Sequence, residues 1–238
     1  MIPVSTTNLD IFPIPFTVVN FGEASRELNR EMVEMIYDAR EKNPTPVQKS
    51  NIGIWQNSGD LCNSYPKFKE IEKIFLEAAK PAIARAGLQG NLDEQLDLNG
   101  IYANINDKAY ASHLPHIHGF GDSIFIGVYY PSSGILNGKH VSDNQDLNQA
   151  PNIYASSRPN PGDIMFIDPA ANTKKQVISS NMKRYPYYSL DMCVTPREGL
   201  LLLAPHYMSH LVTPTEKDNF DRISISFDVR LKVRGNLV

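Results

Sequence analysis

From Arg222 to Val229 the chain alternates without a break: Ile223, Ile225 and Phe227 fall on one side, Arg222, Ser224, Ser226 and Asp228 on the other. A period of two belongs to a β-strand, whose successive side chains point to opposite faces, and not to a helix. The arginine and both serines are therefore sent to the same side. Other stretches after Gly90 read the same way. Leu96-Asp97-Leu98-Asn99 alternates and Ile101 to Asn106 continues in strand style. Ser123 to Tyr130 is β-branched and aromatic, and Pro131-Ser132-Ser133-Gly134 closes it with turn residues. Residues 162–167 follow a Pro-Gly turn, and Gly199 to Pro205 is an apolar run. Between these strands lie two polar segments, 138–161 and the tyrosine-rich 170–190, read as long loops.

The first ninety residues have a different period. From Ser25 to about Lys42, Leu28, Met32, Met35, Ile36 and Ala39 recur at helical spacing until Asn43-Pro44-Thr45-Pro46 stops them. A second helix runs from about Pro66 to Ala86, carrying Phe68, Ile71, Phe75, Ala78 and Ala82 on one stripe. Pro81 is expected to kink or split it and Gly87 to end it. Ile52-Gly53-Ile54-Trp55, between the helices, is short and β-like. The fold class expected is α+β, mainly β, with N-terminal helices packed on an antiparallel sandwich or barrel. At 238 residues, with no linker-like stretch, the chain is expected to form one domain. Residues 1–90 are expected to form a mostly helical framework and 91–238 its core.

Composition excludes several classes. The net charge of −3, from 23 basic and 26 acidic residues, disfavours nucleic acid as a partner. Two distant cysteines, Cys62 and Cys193, make neither a disulfide framework nor a CxxC metal knuckle. No apolar run reaches the roughly 18 residues needed to span a bilayer, and Met1 to Ser5 does not begin a signal peptide. A soluble, cytoplasmic protein is expected, and a homodimer stays open.

Five of the six histidines form two clusters, His113, His116 and His118 in one, His206 and His210 in the other. On an extended segment His116 and His118 project from one face about 7 Å apart, and rings leaning together from there can grip one metal ion. His210, beyond the apolar run 200–204, can bring a third ligand from across a sandwich. The alternative is an incidental His-x-His. His113 and His140 are expected at the surface, and His206 either lines the site or packs beneath it. Arg222 and Ser224, turned inward, suit a carboxylate: the guanidinium as a fork, the hydroxyl as a second donor. Otherwise Arg222 pairs with Asp221 or Asp228 or points to solvent.

His-x-His, a distant histidine, then Arg-x-Ser twelve residues later resembles the Fe(II)/2-oxoglutarate-dependent oxygenases with a double-stranded β-helix (jelly-roll) core. The chain looks most like a largely uncharacterised oxygenase branch of bacteria and marine phages. Ile11-Phe12-Pro13-Ile14-Pro15, Gly53-Ile54-Trp55-Gln56, Tyr102-Ala103-Asn104-Ile105, Pro115-His116-Ile117-His118, residues 162–169, residues 201–210 and Arg222 to Phe227 carry the likeness in order. The resemblance implies an Fe(II)- and 2-oxoglutarate-dependent dioxygenase that hydroxylates an unidentified substrate with O₂. His116, His118 and His210 would be the metal ligands. Arg222 and Ser224 would hold the distal carboxylate of 2-oxoglutarate, with Asn104 against the cosubstrate and no catalytic residue beyond the metal centre. The family usually has Asp or Glu where His118 stands, which leaves the site one positive charge richer; Asp122 is the alternative third ligand. The segments 138–161 and 170–190 are expected to form lids, and Tyr185, Tyr187 and Tyr188 either touch substrate or anchor their loop. Rival readings are a cupin-like binding module without catalysis, a three-histidine metal dioxygenase that uses no 2-oxoglutarate, and an interaction protein on a retired oxygenase fold.

Overall fold

The structure, a computed structural model, describes residues 13–118, 121–155, 158–174 and 189–232. In chain order the strands are β1 (Thr17–Asn20), β2 (Asn51–Ile52), β3 (Trp55–Gln56), β4 (Leu96–Asn106), β5 (Ser112–His116), β6 (Ser123–Ser132), β7 (Ile135–Leu136), β8 (Lys139–His140), β9 (Ile153–Tyr154), β10 (Ile164–Ile167), β11 (Asp191–Val194), β12 (Leu200–Pro205), β13 (His210–Val212) and β14 (Arg222–Leu231). The helices are α1 (Arg26–Lys42), α2 (Leu61–Ser64), α3 (Lys67–Arg85), α4 (Leu92–Gln95) and α5 (Ala171–Lys174). Two six-stranded sheets result, in the orders β1-β12-β6-β14-β4-β3 and β2-β5-β13-β10-β11-β9, and β7 and β8 form a separate hairpin. Every strand pairing in them is antiparallel.

Period-two patterning sets the layers. One apolar cluster joins Met32, Val33 and Ile36 of α1 and Phe68, Ile71, Phe75 and Ala79 of α3 to Ala103, Ile105, Tyr129, Leu201, Leu203, Ile223, Ile225 and Phe227 of the first sheet. A second joins Ile126, Val128, Tyr130, Leu200, Leu202 and Ala204, on that sheet's other face, to Ile164, Phe166, Val194 and Val212 of the second sheet. Residues 200–204 are apolar throughout because β12 is covered on both faces, by the helices and by the facing sheet. Phe75 stacks on Phe227 (ring centroids 5.0 Å apart, planes at 11°) and tilts against Tyr129. With the odd-numbered side chains of β14 held under the helices, Arg222, Ser224, Ser226 and Asp228 face the inter-sheet space.

Several expectations need correction. Alongside α1 and α3, the first ninety residues supply β1, β2 and β3 to the sheets. The β-like stretch 52–55 divides between two strands. Gly53, at φ +65°, turns the chain so that β2 joins one sheet and β3 the other. Pro81 does not split α3. Both it and Glu77, whose carbonyl loses its donor, lie on the solvent side, where water can satisfy that carbonyl. Gly87 does end the helix, at φ +108°, with backbone bonds from Gly87 N to Ala84 O and Leu88 N to Ile83 O. The described part of 138–161 is no lid. Its first half is fastened beside α1, where Arg26 reaches Ser142 O and Gln145 O, and Arg30 pairs with Asp143 and with the buried Glu198. Farther on, β9 joins the edge of the second sheet. Most of 170–190, with Tyr185, Tyr187 and Tyr188, lies outside the described residues. No helix among the described residues is long and apolar enough to cross a membrane.

Candidate metal centre

β5 and β13 run side by side with His116 directly opposite His210, and His118 follows just beyond the end of β5. The amide of His118 donates to the carbonyl of His206 (3.1 Å), which ties the His-x-His segment to the end of β12. The three imidazoles meet: ring centroids are 4.3 Å apart for His116–His210, 5.1 Å for His118–His210 and 5.2 Å for His116–His118. One ring nitrogen from each lies within 4.8 Å of the other two. Among the described residues no Asp or Glu joins this group, so Asp122 is not part of it.

Each ring has an acceptor at Nδ1. His116 Nδ1 is 2.7 Å from Leu114 O, His210 Nδ1 is 3.1 Å from Met208 O, and His118 Nδ1 is 2.8 Å from Asp228 Oδ1. Carbonyls and carboxylates only accept, so each Nδ1 carries a hydrogen, the tautomer that leaves Nε2 with the lone pair whenever the ring is neutral. Burial pushes the His116 imidazole below its ordinary range and the His210 imidazole down to about 3, with the neighbouring histidines adding to the fall for His210. Neutral imidazoles with converging lone pairs are a donor set for a divalent transition metal, iron included.

The three histidines share a cavity of about 360 Å³ with Arg222, Ser224 and Asn104. Arg222 is 3 % exposed, and Nε, Nη1 and Nη2 all lack a hydrogen-bond partner. Its guanidinium lies over the ring of Tyr130, 5.6 Å from the centroid. The expected alternatives for it do not occur: Asp221 accepts from Tyr37 Oη, Asp228 from His118, and the arginine is buried rather than on the surface. Asp163 attracts it from farther off while bonded to Tyr154. Asn106 stands opposite Arg222 in the β4–β14 ladder, and Asn104 opposite Ser224. Both amide atoms of Asn106, Oδ1 of Asn104 and Oη of Tyr130 are also buried without partners. An unsatisfied buried polar group costs about 1–3 kcal/mol and a charged one more. The unpaired guanidinium donors are explained by a ligand that carries an anion, whereas the orphaned amide oxygens of Asn104 and Asn106 are acceptors and call for donors.

His113 and His140, expected at the surface, are instead partly buried. His113 lines the cavity, with burial, then Arg222 nearby, pushing its imidazole down to about 3. It faces inward together with His116, three residues away, because the pairing of β5 with β13 slips between His210 and Val212, so that three residues of β5 span two of β13. His140 is nearly enclosed, 2.7 Å from Arg30 and beside Glu198. His206 does not line the cavity and contributes its carbonyl. Asn106, Tyr130 and Asp228 were not singled out for the site. Asn106 and Asp228 were legible in principle, each standing an even number of steps along its strand from a residue that was.

No protein-family model and no curated protein sequence matches the chain. Solved structures do match. HygX from Streptomyces hygroscopicus, with nickel, 2-oxoglutarate and hygromycin B bound, is 14% identical over 92% of this chain and 84% of its own, at a TM-score of 0.53. The epimerase SnoN, in complex with Fe3+, alpha ketoglutarate and nogalamycin RO, is 11% identical over 91% and 79%, at 0.54. A prolyl hydroxylase from Trichoplax adhaerens, in complex with a hypoxia inducible factor peptide fragment, is 13% identical over 91% and 83%, at 0.50. At these identities the likeness is one of fold, shared with HygX and with SnoN, the latter a non-heme alpha ketoglutarate dependent epimerase.

Proposed function

We propose that this chain is an Fe(II)- and 2-oxoglutarate-dependent oxygenase on a jelly-roll core, a dioxygenase that hydroxylates a substrate still to be identified. The observation that carries the reading is Arg222: a buried guanidinium without a partner, in the same cavity as three convergent imidazoles. The bound metal, 2-oxoglutarate and alpha ketoglutarate in the HygX and SnoN structures support it.

In this reading His116, His118 and His210 hold Fe(II) through Nε2, each ring kept in the right tautomer by its Nδ1 acceptor. Arg222 takes the distal carboxylate of 2-oxoglutarate, Ser224 adds a hydroxyl donor, and Asn104 lies against the cosubstrate. Tyr130 backs the guanidinium and keeps water from it. With O₂, iron and 2-oxoglutarate supply the oxidising power, ending in carbon dioxide, succinate and a hydroxylated product. The protein binds, orients and desolvates.

Anaerobic titration of the Fe(II)-loaded protein with 2-oxoglutarate is expected to raise a weak visible charge-transfer band. Calorimetry is expected to show 2-oxoglutarate binding that needs the metal and is lost in Arg222→Ala. A second reading, a three-histidine dioxygenase that uses no 2-oxoglutarate, is favoured by His118 standing where a carboxylate is usual. Absence of both the band and the heat, with Fe(II) still bound, would select it.

A further inference from the structure

Three imidazoles are a neutral ligand set, so the metal centre proposed above lacks the negative charge that a two-histidine, one-carboxylate site supplies directly. The three histidines are not held alike. His116 and His210 give their Nδ1 hydrogens to backbone carbonyls, whereas His118 gives its own to the carboxylate of Asp228, at 2.8 Å. Two features of β14 bring that carboxylate there. Asp228 stands six residues after Arg222, an even number, so it shares the inward face. The pairing of β14 with β4 also slips between Phe227 and Val229, so Asp228 sits at an irregularity of the kind that re-aims a side chain. The Asp228 carboxylate accepts from His118, and both side chains are about four-fifths buried, at 22% and 20% exposure.

We propose that Asp228 is a positioning residue of the metal centre: through His118 it fixes the tautomer that turns Nε2 to the metal, and it supplies from one bond farther out the negative charge the three ligands lack. The proposal rests on the metal-centre reading. Its physical content is that a carboxylate at Nδ1 makes the imidazole a stronger donor, which tightens metal binding and favours the more highly charged state of a redox metal.

Two substitutions separate this from a structural role. Asp228→Asn keeps the size and an oxygen that can accept from Nδ1 but removes the charge, and His118→Asp puts a carboxylate among the ligands themselves. Co(II), added anaerobically and followed by its visible absorption, is the probe of affinity. Asp228→Asn is expected to weaken Co(II) binding about 10- to 100-fold, to raise the Fe(III)/Fe(II) midpoint potential and to leave the thermal midpoint of the metal-free protein no lower. Asp228→Glu should recover part of the affinity. In the His118→Asp background the sign reverses: two carboxylates then crowd one another, and Asp228→Asn leaves Co(II) affinity unchanged or improves it. Equal weakening in both backgrounds overturns the proposal, because it marks Asp228 as a generic support. Unchanged Co(II) affinity and potential for Asp228→Asn alone overturn it as well. If the unaltered protein binds no Co(II), the metal centre itself fails and the proposal with it.

Discussion

Arg222 is a place where function and stability pull apart. A guanidinium that is 3 % exposed and hydrogen-bonded to nothing within the described residues weakens the ligand-free fold. Arg222→Met, similar in length and apolar, removes that burden while keeping the contact with the Tyr130 ring. It is expected to stabilise the ligand-free protein by about 1–3 kcal/mol, visible as a higher thermal midpoint, and to abolish 2-oxoglutarate binding. A lower midpoint would mean that the guanidinium has a native partner and is not waiting for one. Much at this scale was legible. His116, His118, His210, Arg222, Ser224 and Asn104 meet in one cavity, because residues two apart on a strand share a face whatever the strand pairs with. What stayed hidden depended on register. His113 turns inward only through the slip against β13. Asp228 reads from sequence as one more inward polar residue until the end of β5 delivers His118 to it.

At the scale of the element, long segments announced themselves and short ones did not. α1 and α3 follow from four or more turns of periodic apolar residues, and β4, β6, β12 and β14 from six or more residues of strand pattern. β2, β3 and β9 have two residues each and no period to read; they are strands because a neighbour supplies hydrogen bonds. The supposed lid failed for a related reason. The ion pairs that fasten 138–161 beside α1 link residues more than fifty positions apart, as between Arg30 and Asp143, and no local pattern carries them. Gly127 shows how closely one element is fitted to the next. It stands opposite Phe227 in the β6–β14 ladder, and a Cβ built on it collides with the Phe227 ring, which Phe75 holds from the other side. Gly127→Ala is therefore expected to destabilise the fold by about 1–3 kcal/mol, lowering the thermal midpoint. Phe227→Leu in the same chain should return part of the loss. An unchanged midpoint for Gly127→Ala alone would show that the ring has room to move.

For the whole molecule, helices against an antiparallel sandwich followed from the change of period near Gly90. The strand order did not, since β1-β12-β6-β14-β4-β3 draws neighbours from both ends of the chain. Folding this way buries His113 and His210 as neutral rings, each with its pKa down to about 3, and holds His116 below its ordinary range, against about 6.5 in an unfolded chain. The sign follows by linkage. Below pH 6.5 the unfolded chain takes up protons that the folded one refuses, so the stability fully present above that pH is lost progressively between about 6.5 and 3. The slope is on the order of 1 kcal/mol per pH unit for each strongly shifted histidine. Metal binding depends on two of these rings, His116 and His210, being neutral, so it should fade on the same side. At a hundredfold excess over Kd, Co(II) is expected to stabilise the protein by about 2.7 kcal/mol, or roughly 5–10 °C for a chain of this size. Thermal midpoints with and without Co(II), at pH 7.5 and pH 5.5, test both statements together. The metal-free midpoint should fall toward pH 5.5, and the gap that Co(II) opens should narrow there. A gap that persists in a protein carrying both His116→Ala and His210→Ala would place the metal elsewhere, and a metal-free midpoint flat across that range would mean the buried histidines are protonated in the folded state.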